Sequence, residues 1–375
     1  MNLTSLETPA LVLDRAKLAA NCARMRDRMQ RFGVTLRQHV KTGKSLEVAK
    51  LAYAGKTGPI TVSTLKEAEF FFANGFTDIL YAVGIVPNKF GRAAALKRAG
   101  CDLKVTLDSA EAARAFRSFC EQEKLVIPAF IEIDTDDHRA GVHPESAMLL
   151  ETGGVLHGAN LLGGVLTHAG NSYKSKNEDE IRDWARRERE GIVRAATRLR
   201  EAGYTVPTVS VGSTPTVLYG ESFDGITEVR AGVYVFFDLV MAGLGICDVN
   251  DIAISVAASV IGHQAEKGWV VTDGGWMAMS RDRGTAKQAV DQGYGLVCDA
   301  RGVPQPDLIV IDANQEHGIV GSRSGRKLLP GDFPVGTLLR VLPNHACATG
   351  AQHSRYHVVA GSDHIENTWE RFNGW

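Results

Sequence analysis

The sequence has no excess of charge of either sign and no long hydrophobic run. Its 42 basic and 43 acidic residues leave a formal net charge of −1, which offers no electrostatic footprint for nucleic acid or a membrane surface. No apolar run approaches the roughly 20 residues of a membrane span. The opening residues, "MNLTSLETPALVLD", lack the basic and apolar segments of a secretory signal. We therefore expect a cytoplasmic protein without a nucleic-acid or membrane partner.

Paired cysteines are also missing. The six cysteines are scattered without a recurring spacing, at Cys22, Cys101, Cys120, Cys247, Cys298 and Cys347. This pattern favours a reducing compartment over a disulfide framework. The chain has 375 residues, which is enough for one large domain or two ordinary ones.

Short apolar runs alternate with longer amphipathic ones from about residue 15 to 230. The strand candidates are 34–40, 60–63, 78–83, 103–107, 125–133, 162–170 and 208–212, with an eighth near 226–232. Strands that alternate with helices imply parallel pairing, and eight such units have the size of a (β/α)8 TIM-like barrel. A doubly wound open sheet is disfavoured because no G-x-G-x-x-G follows the first strand. We predict a barrel domain over residues 15–245.

The pattern changes after residue 246. Strand-like runs follow one another there, separated by Gly, Pro and Asp turns and without long helices. Such a pattern is typical of a mostly antiparallel β-domain. The early run "ALVLD" at 10–14 is a spare strand that could pair with it. We therefore predict a second domain made of residues 1–14 and 246–375.

The stretch "RQHVKTGKS" at 37–45 ends the first predicted barrel strand. Alternation places Arg37, His39 and Lys41 on one face of that strand. A lysine aimed into a barrel mouth would be desolvated and near other cations, which lowers its pKa and makes it a base or a Schiff-base nucleophile. A solvated surface lysine is the ordinary alternative, and Lys44 fits that description better.

Other strand ends also carry polar side chains. They hold Glu132, Asp134, His138 and Arg139, then His168, Asn171 and Tyr173, then Gly212, Ser213 and Thr214, and finally Arg230, Gly232 and Tyr234. Each set by itself is compatible with an ordinary turn or a satisfied core residue. The loops after the last two strands are the usual phosphate site of a barrel. A lysine together with such a phosphate cradle suggests pyridoxal phosphate (PLP).

His345 and Cys347 lie two residues apart in "LPNHACATG". We interpret this run as a strand, on which both side chains would point the same way. An imidazole and a thiolate suit zinc better than magnesium or calcium. Two ligands are fewer than the three that a catalytic zinc usually takes from protein, so substrate, water or another side chain would supply the others. A bare H-x-C is more often structural.

At these residues the sequence resembles the fold-type III PLP enzymes of the D-threonine aldolase and D-serine dehydratase group. The resemblance runs nearly from end to end and is carried by "ITVSTLKEAEFFFANGFTDILYAV", "VLTHAGNSY", "VSVGSTPT", "TEVRAGVYVFFDLVM", "GWMAMSRDRGTA", "ANQEHGI" and "LPNHACATGAQ". It implies an alanine racemase N-terminal type of barrel followed by the β-domain, a homodimer, and a D-amino acid as substrate.

The resemblance also implies roles for individual residues. Lys41 matches the lysine that holds PLP and acts as catalytic base, with His168 and Tyr173 as further catalytic candidates. The cofactor-binding residues would be Lys41, Arg139, Tyr173, Gly212, Ser213, Thr214, Gly232 and Tyr234. His345 and Cys347 match two ligands of a catalytic zinc, with Mn2+ or another divalent metal as the alternative.

The implied reaction is removal of water from a 3-hydroxy D-amino acid, such as D-threo-3-hydroxyaspartate or D-serine, to give a keto acid and ammonia. Aldolases of the group differ at two places: they typically carry a second histidine where this chain has Gly43, and an aspartate where it has Cys347. Both differences favour a dehydratase. An amino-acid racemase, with Tyr294 as second base, and a non-catalytic PLP carrier are the remaining alternatives.

The substrate contacts are the least defined part of the site. A second carboxylate on the substrate would require an arginine, and "MSRDRGTA" offers Arg281 and Arg283, which could equally form a surface turn. Asn171, Gln315 and His317 are further candidates for substrate contact. The sequence does not rank D-threo-3-hydroxyaspartate, D-serine and D-threonine.

Overall fold

A computed structural model describes all 375 residues of the chain and divides them into two compact units. The first, here called the barrel unit, comprises Arg24–Lys41, Ala52–Gly232 and Gly374–Trp375. The second, the β unit, comprises Met1–Ala23, Thr42–Leu51 and Val233–Asn373. The predicted domains, a barrel over 15–245 and a β-domain of 1–14 plus 246–375, are based on the change in strand pattern. Their exact boundaries stay a prediction.

Eight parallel strands close the predicted barrel. After β1 (Ala10–Asp14), these strands are β2 (Thr35–His39), β3 (Ile60–Val62), β4 (Asp78–Gly84), β5 (Asp102–Leu107), β6 (Ala129–Ile133), β7 (Leu162–Thr167), β8 (Thr208–Val211) and β9 (Glu228–Ala231). β2 pairs with both β3 and β9, which completes the ring. The (β/α)8 barrel predicted from the alternation is confirmed, including its eighth strand.

Helices follow most of the strands. They are α1 (Arg15–Phe32), α2 (Leu46–Ala52), α3 (Leu65–Ala73), α4 (Pro87–Arg98), α5 (Ala110–Glu123), α6 (Ala147–His157), α7 (Glu178–Glu201) and α8 (Thr214–Tyr219). Their starts follow local chemistry: the side chains of Thr64, Ser109 and Asn177 accept hydrogen bonds from the first free amides of α3, α5 and α7. This capping fixes where each loop from a strand end enters its helix.

The β unit contains a nine-stranded sheet. It is built from β10 (Ile254–Gln264), β11 (Trp269–Thr272), β12 (Leu296–Cys298), β13 (Pro304–Ala313), β14 (Gly318–Ser322), β15 (Leu338–Leu342), β16 (Arg355–Val359) and β17 (Asn367–Glu370), together with β1. Three short helices, α9 (Leu239–Gly243), α10 (Trp276–Met279) and α11 (Ala346–Gly350), lie between strands. All pairings are antiparallel except that of β1 with β16, which is parallel. The prediction that 10–14 joins a mostly antiparallel β-domain is confirmed.

Charged side chains fill part of the barrel interior. Arg37 of β2 is only 4% exposed and donates from Nε to Glu228 of β9 (2.8 Å) and from Nη1 to Asp78 of β4 (2.7 Å). These contacts cross the ring between strands, so the Arg37 face of β2 points inward as the alternation predicted. A buried arginine with two carboxylate partners is satisfied, and it sets the register of the strand that leads to His39 and Lys41.

No helix of the chain is both long enough and apolar enough to cross a bilayer.

Candidate active site

Lys41 follows the first barrel strand. β2 ends at His39, so Lys41 stands two residues beyond it, and its side chain is exposed to solvent. The expectation that Lys41 is desolvated is therefore wrong, because the residue lies past the paired part of the strand and the barrel wall does not cover it. Its amine is accessible to a carbonyl compound that enters from solvent.

His39 is the inward-facing residue just before Lys41. Its Nδ1 atom is buried and has no hydrogen-bond partner. Burial and the positive charges of Lys41 and Arg230 lower the pKa of His39 well below its usual 6.5. His39 is therefore neutral at neutral pH, and one ring nitrogen is left available for a polar ligand group.

His168 follows β7 and is tied to the loop after β8. Its Nδ1 lies 2.6 Å from the carbonyl oxygen of Gly212, and its ring centroid lies 6.1 Å from that of Tyr173. Burial lowers the pKa of His168 to about 3, against the opposing effect of the hydrogen bond to Gly212. The side chain therefore presents a neutral imidazole beside Tyr173, which is half-buried on the following turn.

Glu188, on α7, holds the two loops in place, and sequence reasoning missed it. Its Oε1 accepts hydrogen bonds from the backbone amides of Ala169 and Gly212, each at 3.1 Å. Burial raises the pKa of this carboxyl, while the hydrogen bonds from Thr216 and the two amides oppose the shift. Glu188 lies within a long charged helix, and the sequence gives no sign that this one residue faces inward.

The loop Gly212-Ser213-Thr214 opens helix α8. Ser213 caps the helix through its hydroxyl, which also lies 3.0 Å from the hydroxyl of Ser172. Thr214 is 1% exposed, and its Oγ1 is buried without a hydrogen-bond partner. An unpaired buried hydroxyl costs about 1–3 kcal/mol, and a ligand oxygen that accepted a hydrogen bond from Thr214 Oγ1 would remove that cost. This fits a phosphate group at the loop.

The remaining cofactor candidates fall into three different settings. Gly232 directly follows β9 in the barrel unit, whereas Tyr234 belongs to the β unit and is fully buried there. Arg139 is largely exposed and donates to Glu132 at 3.0 Å. Its positive charge also contributes to the lowered pKa of His168, which places Arg139 near the mouth that the strand ends form.

Asn171 is a structural part of the same mouth. Its backbone amide donates to Asp136 Oδ2 (2.8 Å) and its side-chain amide to Asp136 O (2.7 Å), while its Oδ1 accepts from Lys174 (2.8 Å). The side chain thus joins the loops after β6 and β7. Its capacity for a substrate contact is reduced by these three bonds.

The metal candidates lie in the β unit, but not on a strand. β15 ends at Leu342, and His345 is the N-cap of helix α11, which contains Cys347. The expected strand geometry of the pair is therefore wrong, since Pro343 follows the strand and the chain turns into a short helix. The imidazole and the thiol are nevertheless hydrogen-bonded to each other. No group of three or more His, Cys, Asp and Glu side chains is placed to hold a metal, and His345 and Cys347 stay the two predicted donors.

Asp282 is the partner of His345 that the sequence did not reveal. Its Oδ2 lies 2.7 Å from His345 Nδ1. The hydrogen bond to His345 lowers the pKa of Asp282. Burial alone would lower the pKa of His345, but hydrogen bonds to Asp282 and Cys347 raise it to about 11. Asp282 stands between the two arginines in "MSRDRGTA", where the sequence drew attention to the positive charges alone.

The two arginines of that segment have different surroundings. Arg281 is exposed, with its guanidinium 5.1 Å from the ring centroid of Trp276. Arg283 donates to Asp291 at 2.8 Å and stacks over Tyr294 at 4.9 Å. Arg283 is therefore already paired, which leaves Arg281 as the better candidate for a substrate carboxylate.

Gln315 and His317 lie in the turn between β13 and β14, and both side chains are exposed. The backbone carbonyl of Gln315 accepts from Met277 at 3.1 Å, which ties the turn to α10. The predicted role of both side chains in substrate binding stays a prediction.

Two family models match the chain. Residues 13–240 match the alanine racemase N-terminal domain, and residues 253–359 match a putative serine dehydratase domain. D-threo-3-hydroxyaspartate dehydratase of Delftia sp. (strain HT23) is 53% identical over 100% of this chain and 99% of its own length. D-serine dehydratase of Dictyostelium discoideum is 29% identical over 100% and 98%. 3-Hydroxy-D-aspartate aldolase of Paracoccus denitrificans is 26% identical over 98% and 92%.

Solved structures of dehydratases are also similar to this chain. That of D-threo-3-hydroxyaspartate dehydratase from Delftia sp. HT23 has a TM-score of 0.97 at 53% identity, with both chains fully covered. A cysteine-to-alanine variant of D-threo-3-hydroxyaspartate dehydratase in the metal-free form has a TM-score of 0.98 at 52% identity, with both chains fully covered. A histidine-to-alanine variant has a TM-score of 0.97 at 52% identity, over 100% of this chain and 97% of its own. Alanine racemase of Clostridium difficile, at 15% identity and a TM-score of 0.67, covering 97% of this chain and 99% of its own, shares the fold.

Proposed function

Since the chain belongs to the fold-type III PLP family of the D-serine and 3-hydroxyaspartate dehydratases, we propose that it is a PLP- and zinc-dependent lyase that removes water from a 3-hydroxy D-amino acid. The preferred substrate is D-threo-3-hydroxyaspartate, which gives oxaloacetate and ammonia. D-Serine, which gives pyruvate and ammonia, is the second substrate. The observation that carries the proposal is the hydrogen-bonded imidazole and thiol of His345 and Cys347 in a chain whose barrel presents Lys41.

The barrel residues suit PLP. The exposed amine of Lys41 can condense with the cofactor aldehyde, and the unpartnered hydroxyl of Thr214 can donate to its phosphate. Ser213 lies in the same loop, and Gly212 and Gly232 end the last two strands. His168 and Tyr173 form one side of the mouth, with Arg139 nearby. PLP supplies an electron sink that makes the proton on Cα of a bound amino acid acidic.

The β-unit residues suit a zinc ion. Asp282 occupies Nδ1 of His345, which leaves Nε2 as the ligand atom, and Cys347 supplies a thiolate. This pair of borderline and soft donors favours zinc, with Mn2+ or another divalent ion as the alternative. Zinc supplies a Lewis acid for the β-hydroxyl of the substrate. The histidine and the cysteine replaced in the two D-threo-3-hydroxyaspartate dehydratase variants are also two residues apart, which supports the assignment.

The side chains then have defined tasks. Lys41 would hold the cofactor through its amine, and the same amine would take up the α-proton of the substrate. His168 stays neutral because burial lowers its pKa to about 3, and its bond to Gly212 fixes the ring, so it would face the cofactor without adding a positive charge. Water leaves from Cβ and water is added again when the imine hydrolyses, so the net change is deamination without an external oxidant.

An aldolase is the alternative in the same family. The aldolases that this chain resembles carry a second histidine where Gly43 stands. A Cβ atom at Gly43 would lie 2.7 Å from Val48 Cγ1, and the Gly43 carbonyl accepts a hydrogen bond from Tyr356 (2.6 Å). A larger residue is thus excluded without a shift of α2, and no base is available at this position for a β-hydroxyl. This supports dehydration over cleavage of Cα–Cβ.

The racemase and carrier alternatives have less support. Tyr294, the candidate second base, lies under the guanidinium of Arg283. The likeness to alanine racemases is one of fold. A non-catalytic PLP carrier would need only the barrel and has no use for the β unit with its His345–Cys347 pair.

The oligomer, the compartment and the substrate contacts belong to the same proposal. The resemblance supports a homodimer, and six free cysteines support a reducing cytoplasm. Light scattering on the purified protein tests the dimer. Arg281 is proposed to hold the second carboxylate of 3-hydroxyaspartate, with Asn171, Gln315 and His317 as weaker candidates.

A Cys347→Ala variant tests the metal assignment. We expect it to keep the visible absorption of bound PLP, to lose stoichiometric zinc and to lose water elimination. Cys247 is half-buried and has contacts of its own, so its replacement is not a suitable comparison. Cys120, buried in α5, serves as the matched Cys→Ala control. An active, metal-free Cys347→Ala variant would show that the pair is structural.

A further inference from the structure

His345 is held by a carboxylate. The Oδ2 atom of Asp282 lies 2.7 Å from His345 Nδ1. A carboxylate at this distance accepts the proton of Nδ1 in a hydrogen bond and leaves Nε2 as the nitrogen that can bind a metal. Metal-binding histidines in proteins are commonly oriented in this way, which also makes the ligand nitrogen more basic.

Asp282 is itself fixed by the residue that precedes His345. The side-chain amide of Asn344 donates to the carbonyl of Asp282 (3.0 Å) and to that of Gly293 (2.7 Å), and its Oδ1 accepts from Thr285 (3.1 Å). Asn344 is 2% exposed. The distance between the Asp282 and His345 backbones is thus set by a buried, fully bonded amide and not by a free loop.

Cys347 has a comparable neighbour on a distant part of the chain. The hydroxyl Oγ1 of Thr42 lies 3.2 Å from Cys347 Sγ, although 305 residues separate them in sequence. Thr42 is completely buried, and the carbonyl of the next residue, Gly43, accepts a hydrogen bond from Tyr356 (2.6 Å). The hydroxyl is therefore held beside the sulfur, where it can donate to a thiolate.

We propose that Asp282 and Thr42 are positioning residues of the metal site: Asp282 presents Nε2 of His345, and Thr42 donates a hydrogen bond to the thiolate of Cys347. This inference rests on the proposed function, because it takes His345 and Cys347 as the ligands. Thr42 is also the residue directly after Lys41, so one short segment carries the cofactor lysine and a determinant of the metal site. Loss of such a partner typically weakens metal binding about 10- to 100-fold.

The test measures zinc affinity by chelator competition on the PLP-loaded protein. We expect Asp282→Asn and Thr42→Val to weaken zinc binding about 10-fold or more while the PLP spectrum of the zinc-free protein stays as in the wild type. Thr42→Ser keeps the hydroxyl and should bind zinc like the wild type. Asp312→Asn removes an exposed carboxylate of the same unit and should have no effect.

Two outcomes separate failure of this inference from failure of the metal assignment. If His345→Ala and Cys347→Ala lose zinc but Asp282→Asn and Thr42→Val bind it within twofold of the wild type, the positioning roles are overturned and the ligands stand. If His345→Ala keeps zinc, the metal assignment itself is wrong. Nitrogen-15 NMR of His345 in the zinc-loaded wild type needs no variant: a protonated Nδ1 and a metal-bound Nε2 support the role of Asp282, and zinc on Nδ1 overturns it.

Discussion

The Nδ1 atom of His168 lies 2.6 Å from the carbonyl oxygen of Gly212. A carbonyl oxygen accepts hydrogen bonds and cannot donate them, so Nδ1 carries the proton and Nε2 does not. The bond joins the loops after the last two helix-flanked strands of the barrel, where Glu188 binds the amides of Ala169 and Gly212. The tautomer of His168 is therefore set by the same contacts that shape the proposed phosphate loop.

His168 makes stability depend on pH. Burial lowers the pKa of His168 from 6.5 to about 3, so below pH 6.5 the unfolded chain binds a proton that the folded chain does not. The stability is fully present above pH 6.5 and is lost as the pH falls toward about 3, by about 1.4 kcal/mol per pH unit from this residue. When measured by denaturant titration, the free energy of unfolding should fall less between pH 7.0 and pH 5.5 for His168→Asn than for the wild type.

Stability measurements of the same two proteins at higher pH serve as the control. Above about pH 8 both proteins bind almost no proton at this position in either state, so their stabilities should run parallel there. Equal slopes of the wild type and His168→Asn below pH 6.5 would show that His168 is charged in the folded protein.

Lys41→Ala should abolish both the visible absorption of bound PLP and turnover, because no other lysine is proposed to condense with the cofactor aldehyde. Lys44→Ala is the matched control. Its Nζ lies 5.9 Å from the ring centroid of Phe372, and the variant should keep the absorption band and the activity. Absorption spectra of both purified proteins, taken after incubation with PLP, test this prediction. A band of covalently bound PLP in Lys41→Ala would show that Lys41 is not the lysine that condenses with the cofactor.

Thr214→Val separates cofactor binding from folding. The hydroxyl has no protein partner, so its replacement by an isosteric methyl loses no hydrogen bond and should leave the stability of the PLP-free protein within about 1 kcal/mol of the wild type. A hydrogen bond to a charged group contributes about 1.5–3 kcal/mol, so PLP affinity should fall about 10- to 100-fold. Equilibrium binding followed by PLP absorbance measures this change.

Thr152 offers a matched control for that variant. It lies in α6 of the same unit, is completely buried, and also has a hydroxyl without a partner. Thr152→Val should leave PLP affinity unchanged. If both variants bind PLP equally well, the phosphate does not contact Thr214.

Much of the fold was accessible from the sequence because parallel strands alternate with amphipathic helices at a regular spacing. The last barrel strand, Glu228–Ala231, and the early strand that joins the β-domain follow from that pattern. The environment of Lys41 did not, because alternation says which way a side chain points and not where the paired strand stops. β2 ends two residues earlier, which leaves the lysine in solvent.

The metal pair shows the same limit. The residue types of His345 and Cys347 predict a pair of metal ligands, which stays a prediction. The local run was interpreted as a strand, although the chain turns into a helix after Pro343. Asp282 and Thr42 could not be found from sequence because their contacts join positions 63 and 305 residues apart. A carboxylate between two arginines looks like a surface turn until its partner is known.

The most direct measurement is product analysis of the purified, PLP- and zinc-loaded protein given D-threo-3-hydroxyaspartate, with and without a chelator. A zinc-assisted dehydratase should release oxaloacetate and ammonia in equal amounts, and the chelator should stop the release until zinc is added back. Glycine and glyoxylate as products would contradict the dehydratase assignment and identify an aldolase.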